Sequence, residues 1–413
     1  MSSADIAWLL TSTALVLFMT LPGLALFYGG LVRAKNLLSV LMHCFTISAA
    51  ISIAWFVLGY SLAFGGGGSG FWGGFDKMFL LSIPRAGADG APTELLTVVF
   101  QMTFAIITPA LIIGAIVERM RFTFIVLFSV LWMLLVYAPV AHWVWGGGFL
   151  SSDSGWALIK NGGGVSDFAG GVVVHVTAGV AALVLVAMLG ARPGFPTTLK
   201  PPHKPGFVMI GAAMLWVGWF GFNGGSAGAA DDAAVSAVLV THLSAAAACC
   251  SWSLWEKIRF GKPSLVGIAT GMVAGLASIT PASGSVGPVG AVIIGLVAGV
   301  VCQEMINIIK ERLKLDDSLD VFAVHGVGGI WGTLVLPFLA AESLGGAGLD
   351  GVAVGDKFMA QLAGVVVAGL YTLIVTAIIA LLCRAIVGMR ATESEVESGL
   401  DLSHHGERAY DYT

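Results

Sequence analysis

Long runs without Asp, Glu, Lys or Arg alternate with polar joints along the whole 413-residue chain. The runs are 6–32, 37–75, 95–117, 122–152, 168–191, 205–230, 233–255, 263–303, 321–341 and 358–383. Each reaches the roughly 20 residues a helix needs to span hydrocarbon. The run 263–303 has room for two helices, with a turn signal at PASGSVGP from Pro281 to Pro288. The pattern predicts eleven transmembrane helices in an all-α polytopic membrane protein. Composition agrees: 57% hydrophobic residues, 11% charged and a mean hydropathy of +0.92 exclude a water-soluble globule.

Basic residues test the count, because cytoplasmic loops carry the excess of Lys and Arg. On alternate sides of eleven spans, one side holds only Lys77, Arg85, Lys160 and Lys357 of the 20 Lys and Arg residues. The other side is then cytoplasmic, with the N-terminus outside and the C-terminus inside. A net charge of −4 with no basic tract points to no nucleic-acid partner. Residues 1–5 are too short and polar for a signal peptide, so the first span starts translocation itself or follows a signal outside this sequence. The cysteines at 44, 249, 250, 302 and 383 lack metal-ligand or disulfide-framework spacing and are assigned to packing.

The fifth span, DFAGGVVVHVTAGVAALVLVAMLG from Asp167 to Gly190, carries His175 in mid-membrane. An ionisable group at that depth is costly and points to a pathway role. Asp167 sits at the helix start in a position suited to a cap, eight residues ahead. That spacing is about 12 Å along the axis and about 80° around it, so the pair does not touch. DSLDVFAVHGVGG repeats the arrangement with Asp317 and His325 in the tenth span. Two halves of five spans each, about 6–191 and 205–341, must lie inverted in the membrane because five is odd. The eleventh span, about 357–388, follows them. His175 enters from outside and His325 from inside, so the two imidazoles are expected to meet near the midplane, close enough to share a proton.

Other polar and aromatic positions cluster toward the outer ends of spans. Phe100 and Phe104 in VFQMTFA lie one turn apart on one helix face; on spacing alone they read as lipid-facing or core aromatics. Trp143 and Trp145 in AHWVWGGG suit the interfacial aromatic belt or, alternatively, a cation–π site at a pore mouth. Trp219, Phe222, Asn223 and Ser226 in WVGWFGFNGGSAG bring rings and small hydrogen-bonding groups to the end of span six. Thr270 and Thr280 are hydroxyls that could face a lumen. The 56 glycines allow close helix packing, and the chain contains no phosphate-loop or dinucleotide fingerprint.

Together VFQMTFA, HWVWGGG, DFAGGVVVH, WFGFNGGSAG and DVFAVHGVGG resemble the ammonium transporter family of Amt, Mep and Rh proteins, specifically its bacterial Amt branch. The resemblance extends from TALVLFMTLPGLALFYGGLVRAKN to GLDLSHHGERAY. It implies an eleven-helix protomer, residues 1–390, in a homotrimer of the bacterial cytoplasmic membrane, followed by a cytoplasmic tail, 391–413. It implies recruitment of ammonium, or of methylammonium as analogue, by Phe100, Trp145 and Ser226, with Asp167 shaping that site. Phe104 and Phe222 would gate the pore, Trp219 would line it, and His175 and His325 would relay a proton while ammonia passes. The tail would couple the protomers to a P-II type signal protein. No cofactor or metal is implied, and no enzymatic activity. The loop from Leu150 to Ser166 looks longer than in closer bacterial members and borders the mouth.

Three rivals fare worse. A sensor acting through a P-II protein with little flux usually carries an added signalling domain, whereas the tail is short and acidic enough to be disordered in isolation. A membrane enzyme lacks a nucleophile or third metal ligand near either Asp–His pair. A water or gas channel would leave the aromatic cation site without purpose.

Overall fold

The computed structural model describes residues 1–87 and 93–411, so part of the Gly-rich loop after the second span (88–92) and the last two tail residues lie outside the described residues. Among the described residues no strand is formed, apart from two isolated bridges, and ten helices are long and apolar enough to cross a membrane. They are α1 (Ser3–Leu31), α2 (Ala34–Phe64), α3 (Leu95–Ile116), α4 (Phe122–Trp145), α5 (Gly171–Leu189), α6 (Pro205–Gly224), α7 (Asp232–Phe260), α9 (Pro288–Arg312), α10 (Phe322–Leu339) and α11 (Val354–Val387). A shorter apolar helix, α8 (Leu265–Ile279), fills the remaining place, and the run 263–303 does divide at the expected turn.

Local chemistry explains the boundaries. The Asp231 side chain accepts the Ala234 N–H to start α7, and Gly261 at φ 86° ends it. Ser264 caps α8 through the Gly267 N–H, and Pro288 opens α9 where a missing N–H costs nothing. α11 has 34 residues, about 51 Å long against a hydrocarbon core of about 30 Å. Of the cysteines assigned to packing, Cys44, Cys302 and Cys383 are buried, whereas Cys250 is exposed on the outside of α7.

Ion pairs and hydrogen bonds tie the loops together at the two ends of the helices. At the basic end, the Arg33 N–H and Nε reach Glu118 Oε1 at 2.8 and 3.0 Å. Arg192 bridges Glu118 (3.3 Å) and Asp316 (2.8 Å), and Arg119 donates to Ser318 Oγ at 2.6 Å and to the Asp316 carbonyl at 2.7 Å. One ion-pair network therefore ties together the joints after α1, α3, α5 and α9. At the opposite end, Trp143 donates to the Phe71 carbonyl at 2.9 Å, and Lys77 pairs with Glu94 at 2.6 Å.

The tail is more ordered than its composition suggests for an isolated segment. It forms helices at Glu393–Ser398 and Leu400–His405, and their partners lie on the body of the protein. Asp401 accepts the Leu38 and Ser39 N–H groups at 3.0 and 2.7 Å, and Asn36 Oδ1 accepts the Leu400 N–H at 2.9 Å. The Lys35 ammonium donates to the Glu397 carbonyl. The tail thus supplies the carboxylate cap at the start of α2, which neither segment has alone.

Burial pushes the Glu118 and Asp316 carboxyls up, but the charges and hydrogen bonds of Arg192, with Arg33 and Arg119, outweigh it and hold both below the ordinary carboxylate range. A carboxyl lowered in the folded state stabilises it above the unfolded value, and that contribution is lost as pH falls through the folded value. Asp316→Asn is expected to cost about 3 kcal/mol at pH 7, because it leaves two buried guanidiniums short of a counter-charge. In melts of detergent-solubilised protein, the gap between wild type and variant should hold down to about pH 4 and narrow as pH falls further through the lowered folded value. A gap independent of pH would contradict the assignment.

Candidate functional site

The structure brings His175 and His325 together inside the bundle. Their Nδ1 atoms are 3.3 Å apart and their ring centroids 5.1 Å, with 1% and 4% exposure. Each ring lies in a π-helical turn that opens its helix, Gly171–Val176 in α5 and Phe322–Gly326 in α10. The two helices meet closely because a Cβ on Gly179 would collide with the Gly326 backbone, and one on Gly329 would lie 2.6 Å from the Gly171 carbonyl. Glycine at these crossings lets the histidines reach one another.

Both turns are started by an aspartate. Asp167 accepts four backbone N–H groups: Gly170 at 2.9 Å and Gly171 with Oδ1, Val172 and Val173 at 2.8 and 2.9 Å with Oδ2. This saturates the donors orphaned at a helix start, so Asp167 is a fuller cap than spacing alone implies. The chain enters through Gly170 at φ 117°, a conformation suited to glycine. Asp317 repeats the device with the Val321 and Phe322 N–H groups at 3.0 and 2.8 Å, and Asp320 takes the positive φ, 63°. Burial and the neighbouring Asp320 push the Asp317 carboxyl up to about 6.

A column of rings leads to the histidines. Phe100 meets Phe104 edge-on at 5.0 Å, Phe104 meets Trp145 edge-on at 6.2 Å, and Phe104 lies 4.4 Å from Phe222. Phe222 stacks on His175 at 6.1 Å, and Trp219 flanks the same imidazole at 5.6 Å. Phe100 and Phe104 are therefore part of this column and not lipid-facing. Trp145 is fixed by its indole N–H to the Asp167 carbonyl at 2.7 Å, so one aspartate holds both the ring and the helix start. Ser226 Oγ donates to the Phe222 carbonyl at 2.8 Å, which leaves its oxygen able to accept.

Above the rings opens a vestibule of about 450 Å³, lined by Phe100, Phe104, Trp145, Ser226, Gln101 and Phe168 among others, with no acidic or basic side chain. Below them, the cavity beside the histidines is about 10 Å³, walled by Leu24, Phe27, Ile107, Leu111, Leu215 and Val273. That is about one water-sized probe. The site thus pairs an aromatic, carboxylate-free mouth with a narrow apolar throat. Among the described residues no cluster of His, Cys, Asp or Glu could hold a metal ion.

Of the two threonines read as lumen hydroxyls, neither lines the vestibule or the cavity beside the histidines. Thr280 accepts the Trp219 indole N–H at 2.9 Å and donates to the Leu276 carbonyl, and Thr270 donates to the Val266 carbonyl at 2.9 Å. Asn223 is turned away from the mouth, donating to Thr241 at 2.8 Å. Trp143 packs against Phe149 and Tyr371, away from the ring column. Residues that sequence reasoning passed over include Gln101, Phe168 and Tyr28; Tyr28 donates to the Leu111 carbonyl at 3.0 Å and borders the throat. Tyr28 lies in the quoted stretch LALFYGG, but nothing in that stretch distinguishes a lumen tyrosine from a packed one.

Replacing Asp167 by Asn leaves one oxygen for four N–H donors. Asp167→Asn is expected to lower stability by at least about 1.5–3 kcal/mol, the worth of a hydrogen bond to a charged group. Thermal melts of the purified variant check this, and an unchanged melting temperature would show that the cap bonds contribute nothing net.

Comparison with known proteins places this architecture. The sequence profile of the Ammonium Transporter Family matches residues 7–410. A putative ammonium transporter of Methanothermobacter thermautotrophicus is 45% identical over 418 residues, covering 100% of both chains. An ammonium transporter of Aquifex aeolicus is 43% identical over 413 residues, covering 99% of this chain and 94% of its own. Among solved structures, one described as a sensor Amt protein matches with a TM-score of 0.88 at 28% identity, over 97% of this chain and 98% of that one. Mep2 of Candida albicans matches with a TM-score of 0.84 at 32% identity, over 96% and 88%. The chain is a multi-pass membrane protein and belongs to the ammonium transporter family.

Proposed function

We propose that this chain transports ammonium by recruiting the cation at the aromatic mouth, stripping its proton and conducting ammonia through the throat. The observation that carries the reading is the unbroken column from Phe100 and Trp145 through Phe104 and Phe222 to the His175–His325 pair, set in a cavity of about 10 Å³. A cation entering so dry a passage loses its hydration without replacement, at a cost of many kcal/mol, whereas neutral ammonia does not. Potassium has no proton to surrender and is excluded. At the mouth, ring faces contribute about 0.5–2 kcal/mol each to a small cation, and the Ser226 oxygen accepts one of its N–H bonds.

The proton follows the imidazoles. In a bond between two Nδ1 atoms, one ring donates and the other accepts, so the accepting neutral ring carries its own proton on Nε2. Arrival of a proton on one outer nitrogen with release from the other reverses the pair, and histidine makes both moves near neutral pH. Asp167 and Asp317 do not join the relay; they fix the helix starts from which the rings project.

The same reading takes the basic end as cytoplasmic, so the mouth faces outward from a bacterial-type cytoplasmic membrane. The protomer works in a homotrimer whose tail lies ready to couple to a P-II type protein. Transport is favoured over sensing with little flux, since the relatives at 43–45% identity are described as ammonium transporters, against 28% for the sensor Amt protein. Nothing in the ring column suits catalysis, and the family is one of membrane transporters.

The test is uptake of labelled methylammonium into proteoliposomes. Trp145→Ala should raise half-saturation about 2- to 30-fold, the factor equivalent to 0.5–2 kcal/mol. Potassium at tenfold excess should compete with neither wild type nor variant. Competition by potassium, or half-saturation untouched by Trp145→Ala, would contradict the recruitment site.

A further inference from the structure

α11 contributes no ring to the column, and its sequence reads as a long apolar rod. It nevertheless carries Lys357 and Gln361, 6% and 0% exposed, one helical turn apart. Lys357 Nζ donates to the Gly162 and Gly164 carbonyls at 3.1 and 3.0 Å, holding the loop that precedes α5. Gln361 uses its whole amide. Its Oε1 accepts the Ser166 N–H at 2.7 Å, while Nε2 donates to the Ser166 carbonyl at 2.8 Å and to the Thr333 carbonyl of α10 at 3.2 Å.

This placement links α11 to the mouth by direct bonds. Ser166 is covalently joined to Asp167, whose carbonyl receives the Trp145 indole and whose carboxylate opens the His175 helix. Thr333 lies two turns beyond His325 on α10. A buried amide is tolerated only when its groups are paired, and removing it orphans three backbone groups at once. A packing role alone would be met by any side chain of this volume; here one amide holds both peptides that flank Ser166, Val165–Ser166 through its N–H and Ser166–Asp167 through its carbonyl. We propose that Gln361 is a positioning residue for recruitment: it sets the Ser166–Asp167 peptide so that Trp145 presents its ring to the vestibule, without touching the cation. Lys357 steadies the loop that leads into this peptide. The inference rests on the ammonium reading above.

The variant to make is Gln361→Met, unbranched and close in volume, in full-length protein reconstituted in liposomes. The expected result is a rise of about tenfold in half-saturating methylammonium, the loss of a cation–π contact of about 1.4 kcal/mol, with maximal uptake within about twofold of wild type. Hydrogen exchange across residues 166–173 should quicken in parallel. Unchanged half-saturation in protein that exchanges faster would overturn the positioning role. A proportional loss of maximal uptake and of assembled protein, with half-saturation unchanged, would reduce Gln361 to a structural clamp and overturn it equally. If Gln361→Met does not assemble, Gln361→Glu, which keeps the bond from the Ser166 N–H and loses both donated ones, reads the same split. Absence of saturable uptake in wild type would sink the ammonium reading itself, while the exchange comparison would still report whether Gln361 holds the peptide.

Discussion

Two imidazoles held at 3.3 Å in the interior of a membrane bundle demand support from everything around them. The helices that carry them cross at glycine, and both begin in π-helical turns whose first N–H groups are taken by a preceding aspartate. Asp167 satisfies four backbone donors and, through its own carbonyl, the Trp145 indole. Helix start, histidine position and mouth aromatic are therefore one mechanical unit. Displacing any part shifts the others, because a close-packed interior is barely compressible and transmits strain.

The polar ends serve the same unit from outside. Glu118 and Asp316 collect Arg33, Arg119 and Arg192 from joints that are distant in sequence, and the tail adds Asp401 as a cap for α2. The joint at Asp316 runs directly into Asp317, so the ion-pair network abuts the start of the His325 helix. A partner that moved the tail would act on α2 first, and through Arg33 and Glu118 on the joint after α3. Each step of that route is a direct contact.

Much of this was legible in the residues. Charge-free runs located the helices, including the break near Pro281, because the bilayer imposes one length on every span. The paired Asp–His spacing foretold that His175 and His325 meet, since inverted halves bring equivalent depths together. Spacing could not reveal that Phe100 and Phe104 join the column, because i and i+4 aromatics look alike whether they face lipid or lumen. Nor could it assign Thr280, whose hydroxyl is taken by Trp219 from another helix. Order in the tail was hidden for a related reason: its partners, Asn36, Leu38 and Ser39, lie about 360 residues away in sequence. Long-range side-chain pairing leaves no local periodicity to read.

The measurement that bears most directly on the central claim is current on solid-supported membranes carrying the reconstituted protein after an ammonium pulse. Wild type is compared with the double variant His175→Ala plus His325→Ala. The account predicts a transient current in wild type, abolished in the double variant, since the proton has no other path through the apolar throat. Silence in wild type while an internal pH dye still reports ammonia entry would contradict it, and would make the paired histidines part of a neutral gas conduit.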